Sequence, residues 1–81
     1  MNEIRFITPS YDELFRIPDG SQIRITRSDG TSSVDTCFYI DDYHMRLKRG
    51  GVFHICEFAE RCQAAGCTVT PVTDGKEHTN G

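Results

Sequence analysis

With 81 residues, of which 37% are apolar, 10% aromatic and 26% charged, the chain has material for one folded core but not for two domains. Nine Lys and Arg against twelve Asp and Glu give a formal charge of -3, too small for a nucleic-acid mimic and without the net positive charge that argues most simply for nonspecific DNA binding, so any binding surface must come from local charge placement. No apolar run approaches the roughly 20 residues of a membrane span, and Met1 to Ser10 mixes acids with bases where a signal peptide needs an apolar stretch. The expectation is a cytoplasmic protein with no membrane partner.

Ile4 and Phe6 alternate with Glu3 and Arg5 as a first strand, ending before Thr8-Pro9-Ser10. Leu14 to Ile17 is a short apolar run, Pro18-Asp19-Gly20 has turn chemistry, and Ser21 to Arg27 alternates through Ile23 and Ile25, so these two runs read as a hairpin. After Ser28-Asp29-Gly30, a third long run places Val34, Thr36, Phe38 and Ile40 on one face, and Asp41-Asp42 turns the chain into Tyr43, Met45 and Leu47. Lys48-Arg49-Gly50-Gly51 makes the next reversal, with Val52 and Phe53 pairing back.

Near Phe53 the apolar period changes from two to three and four, through Ile55, Phe58, Ala59 and Cys62. A helix over about 54–65 follows, with Glu57 and Glu60 toward its positive end and Gly66 suited to the left-handed position after its last turn. Thr68 to Thr70 can add a short C-terminal strand. The expected fold is α+β, an antiparallel β-meander of about five strands with one helix on one face. A single domain over 1–72 is followed by a flexible polar tail over 73–81.

Chemistry-bearing motifs are weak. Cys37, Cys56, Cys62 and Cys67 are separated by eighteen, five and four residues, unlike the close pairs of a zinc site, and without a secretion signal they read as free thiols. No metal or cofactor is expected. Asp41 and Asp42 read as turn residues. His54 and Cys56 lie two apart, a spacing that does not make a catalytic pair on a helix, and His54 at the strand-to-helix junction reads as a structural hydrogen-bonder. No nucleotide-binding or hydrolase fingerprint is present, and the chain reads as a nonenzyme.

The alternation assigns Ile4, Phe6, Ile23, Ile25, Val34, Phe38, Ile40, Tyr43, Met45 and Leu47 to the helix-covered face. The opposite face then carries Arg5, Arg24, Arg46, Thr26, Cys37, Tyr39 and His44, with Lys48 and Arg49 extending it from a hairpin tip. Arg5, Arg24, Tyr39, His44, Arg46 and Arg49 are therefore the candidate binding surface. Such a face is most often simply a solvated sheet whose Arg stems cover apolar neighbours; after that come a protein-contact surface and, last, a surface that pairs with phosphates and stacks on bases. A smaller candidate is the outer side of the helix, where Cys56, Gln63 and Ala64 are small and moderately polar.

The segments Tyr39-Ile40-Asp41-Asp42-Tyr43-His44 and Val52-Phe53-His54-Ile55-Cys56-Glu57-Phe58-Ala59-Glu60 resemble a group of small proteins, without an assigned activity, carried by conjugative and integrative elements of gut Firmicutes. The resemblance spans about Ile4 to Thr70 and implies a bacterial cytoplasmic accessory protein, with no functional residue to carry over. The resulting expectation is a noncatalytic accessory or interaction domain with a protein partner. A nucleic-acid-binding accessory protein is the alternative.

Overall fold

The computed structural model describes residues 2–72; the tail expected over 73–81 lies outside the described residues. In chain order the elements are β1 (Glu3–Ile7), β2 (Glu13–Pro18), β3 (Gln22–Thr26), β4 (Ser32–Asp41), β5 (His44–Leu47), β6 (Gly51–His54), α1 (Ile55–Ala64) and β7 (Thr68–Pro71). Five strands form an antiparallel sheet in the order β6-β5-β4-β3-β7, and among the described residues β1 pairs only with β2. The α+β architecture, the five-stranded antiparallel sheet and the packed helix follow the pattern read from the sequence.

The hairpin partners differ from that reading. β2 pairs back onto β1 with Ile4 opposite Ile17 and Phe6 opposite Phe15, whereas β3 pairs with β4 and β7. The Pro18-Asp19-Gly20 turn therefore carries the chain from one sheet to the other. Turn chemistry marks a reversal but does not say which strand receives the returning chain; the apolar residues of the β1–β2 ribbon are buried only when that ribbon folds over the larger sheet.

The core lies between the five-stranded sheet, the β1–β2 ribbon and α1. Ile4, Phe6, Ile7 and Ile17 from the ribbon meet Ile23, Cys37, Met45 and Leu47 from the sheet and Ile55 and Phe58 from the helix. Phe6 stacks on Phe15 at 4.7 Å between ring centres, while Phe58 meets the Phe6 and Phe53 rings edge-on at 6.2 and 5.6 Å. The helix rests chiefly on β1, β6 and β7.

The register of β4 corrects the expected facing of that strand. Cys37 lies opposite Leu47 and Tyr39 opposite Met45, while Phe38 lies opposite Arg46 and Val34 opposite Arg24. Since cross-strand partners share a face, Cys37 and Tyr39 point inward and Val34 and Phe38 point outward, the reverse of the sequence reading. Cys37 is fully buried. Ile40 sits where the β4–β5 register shifts, and both it and Tyr43 are largely exposed rather than part of the core. β4 carries apolar residues on both faces, so alternation alone selects the fuller row, Val34 to Ile40, and the pairing with β5 decides otherwise.

Both helix ends are built from local chemistry. His54 is the N-cap, its Nδ1 accepting the Cys56 backbone N–H at 3.1 Å, which satisfies one of the donors that a helix start leaves free. At the other end Gly66 takes φ +72°, the left-handed conformation that a side chain disfavours.

Candidate functional site

One face of the five-stranded sheet is turned away from the ribbon, the helix and the core. Register places Gln22 beside Thr36, Val34 between Arg24 and the strand edge, Arg24 beside Thr70, and Arg46 between Phe38 and Val52 on this face. None of these positions carries a carboxylate. Arg24 and Arg46 are exposed, and neither makes a salt bridge among the described residues. Arg24 donates to Ser32 Oγ at 3.4 Å. The Arg46 guanidinium carbon sits 4.5 Å from the centre of the Phe38 ring, a cation–π pair that holds the guanidinium over a half-buried aromatic surface. Val52, 60% exposed, completes the patch.

The same face ends in an aromatic cluster. His44 lies opposite His54, their ring centres 5.0 Å apart and nearly perpendicular. Tyr43 lies parallel to His54 at 6.2 Å, and Tyr11, from the loop joining β1 and β2, meets Tyr43 edge-on at 6.5 Å. At this end comes a carboxylate already engaged: Asp41 accepts from the Tyr43 backbone N–H at 2.9 Å and lies 2.8 Å from His44 Nδ1. These contacts, the Tyr43 N–H first and His44 second, hold the Asp41 carboxyl below its usual range.

Of the six residues singled out in the sequence, Arg24, His44 and Arg46 share this face. Arg49 lies at its margin: its backbone N–H donates to Asp35 Oδ1 at 3.2 Å and its guanidinium donates to the Val34 carbonyl. It closes the edge of β4 that lies bare where β5 ends. Arg5 and Tyr39 lie elsewhere, which is a correction. Arg5 is on the separate ribbon opposite Arg16, and with Tyr39, Arg16, Glu3 and Asp42 it lines a polar depression of about 380 Å³. Tyr39 donates its hydroxyl to Asp42 at 3.1 Å. Arg5 approaches the aromatic cluster only through Tyr43, 6.0 Å from that ring's centre.

Sequence reasoning missed Phe38, Val34 and Val52 on this face because it counted Phe38 and Val34 toward the core. Tyr43 was likewise counted toward the core, whereas Tyr11 and His54 were missed because loop and junction residues have no periodicity to read. Arg at every second position beside an apolar residue was the signal that did find Arg24 and Arg46.

The other candidates resolve differently. Asp41 and Asp42 separate, one to His44 and one to Tyr39. Cys56 is not on an open helix side: its Sγ faces the carbonyls of Thr8 and Pro9 at 3.9 and 3.5 Å. His54 spends its Nδ1 on the helix cap, as its junction position suggested. Among the described residues no group of three His, Cys, Asp or Glu side chains converges as for a metal ion. An apolar groove of about 290 Å³ lies between the ribbon, α1 and the start of β7, lined by Phe6, Leu14, Phe58, Cys62, Cys67 and Val69 among others. No described helix is long and apolar enough to cross a membrane.

No family model matches this chain, and neither a curated protein nor a solved structure matches it.

Proposed function

We propose that the protein is a noncatalytic accessory protein that binds single-stranded nucleic acid across the outer face of its five-stranded sheet. The observation that carries this reading is the arrangement of Arg24, Arg46 and Phe38. On a chain of net charge -3, this face presents two arginines that, among the described residues, have no carboxylate partner, and an aromatic ring on β4. Arginine supplies phosphate contacts, and an aromatic or guanidinium plane stacks on any base regardless of sequence. A single strand is favoured over a duplex because its unstacked bases can reach a flat sheet. The cytoplasm suits the four free thiols, and the resemblance of segments 39–44 and 52–60 implies a mobile element as the genetic setting.

Fluorescence anisotropy with labelled single-stranded and double-stranded oligonucleotides across a salt series tests this. The expected result is preference for the single strand, with log K falling against log salt at a slope of about -0.7 per phosphate contacted. Binding absent at low salt, or insensitive to it, overturns the reading. A second reading, a protein contact on the same face, is favoured by the exposure of Val52 and Ile40. It predicts a partner recovered from the native host by a tagged chain and lost on Val52→Glu.

A further inference from the structure

Two hydrogen bonds close the C-terminus of α1, from Gly66 N–H to the Gln63 carbonyl at 3.1 Å and from Cys67 N–H to the Cys62 carbonyl at 2.8 Å. With Gly66 left-handed, this is the Schellman closure, which sets side by side the residue four before the glycine and the residue just after it. Here both are cysteines. We propose that Cys62 and Cys67 are a reversible dithiol–disulfide pair that locks the junction between α1 and β7.

The backbone bond sets the distance. Bond lengths across a 2.8 Å N–H···O contact, with the angles of about 120° fixed at the amide nitrogen and the carbonyl carbon, keep the two Cα atoms within about 6 Å, inside the reach of about 6.8 Å at which a disulfide closes. Both side chains line the apolar groove beside Phe58 and Val69. The other two thiols are placed not to compete, Cys37 being buried in the core and Cys56 turned toward the Thr8 and Pro9 carbonyls. Burial, with the neighbouring Cys67 sulfur adding to it, raises the Cys62 thiol.

The oxidant is a small-molecule disulfide of the glutathione class. The Cys67 thiolate attacks one of its sulfurs; a Cys67–glutathione bond forms, the original S–S bond breaks, and the departing thiolate takes up the proton Cys67 lost. Cys62 then gives up its proton and attacks the Cys67 sulfur, expelling the second glutathione as a thiol. Two protein thiols are oxidised and one disulfide is reduced to two thiols. The proposal is independent of nucleic-acid binding.

The test is equilibration of the full chain in reduced and oxidised glutathione at graded ratios, with acid quench, alkylation and peptide mapping. The expected result is one intrachain link, seen as a tryptic peptide 62–76 lighter by two hydrogens, formed without change in the far-UV spectrum and raising Tm by about 5 °C or more. Cys62→Ser should stop at the mixed disulfide on Cys67. The proposal is overturned if the chain stays reduced at ratios that oxidise a free dithiol peptide, or if the links formed involve Cys37 or Cys56. It is equally overturned if the linked protein melts below the reduced one.

Discussion

The guanidinium of Arg46 lies over the ring of Phe38, 4.5 Å from its centre, on the sheet face turned away from the ribbon and the helix. Because Phe38 stands outside the buried core cluster, neither partner is required to hold the fold. Phe38→Ala should therefore cost little stability, within about 1 kcal/mol, while weakening single-strand binding by the loss of one stacking surface, about 1–3 kcal/mol. Anisotropy titration paired with a urea melt checks both; a large loss of stability places Phe38 in the core instead.

Arg24→Gln with Arg46→Gln should leave the urea midpoint nearly unchanged, since both side chains are exposed. If each arginine neutralises one phosphate, the double variant flattens the salt slope by about 1.4. A parent-like slope in the variant removes these two arginines from the interface.

Phe58 is the aromatic on α1 that meets both the ribbon, through Phe6, and β6, through Phe53. Phe58→Ala should cost about 3–5 kcal/mol by opening a cavity there, enough to unfold much of a domain this small. Chemical denaturation measures it, and an unchanged midpoint contradicts the described core.

His54 caps α1 only while its Nδ1 is unprotonated, since that atom accepts the Cys56 N–H. His54→Ala should lower stability by about 1 kcal/mol, whereas His54→Asp should retain the cap and add a favourable charge at the helix start. Thermal melts at pH 8 compare the three chains. Equal Tm values for the alanine and aspartate variants would leave the cap without energetic weight.

Burial, with the nearby Asp35 charge adding to it, pushes the Cys37 thiol from 9.0 up to about 12. The folded thiol holds its proton more tightly than the unfolded one, so its contribution to stability is complete below pH 9.0 and is lost as pH rises toward about 12. Denaturant melts from pH 8 to 11 should show stability falling, and Cys37→Ala should remove that part of the fall. Thiol counting should find Cys37 unreactive in the native protein and all four cysteines free in denaturant under reducing conditions.

Much of the fold is legible in the chain because it depends on local chemistry. The change of period near Phe53 sets the start of α1, Gly66 its end, and Glu57 and Phe58 take the outward and inward positions that a 3.6-residue period requires. The alternation through Ile23 and through Met45 and Leu47 likewise fixes which side of those strands is buried. Arg24 and Arg46 on a common outer face follow from the same alternation.

What only the tertiary structure decided is pairing. Whether β2 joins β1 or β3 depends on which contact buries the ribbon's apolar side, and no residue in Pro18-Asp19-Gly20 encodes it. β4 is the sharper case, because Val34 and Phe38 on one side and Cys37 and Tyr39 on the other give it two apolar rows, and a side-chain period of two admits either row as the core. Only the register that sets Cys37 opposite Leu47 and Phe38 opposite Arg46 buries the Cys37–Leu47 pair and leaves the Phe38–Arg46 pair on the exposed face, since a strand's facing is a property of its neighbours once its own residues do not choose.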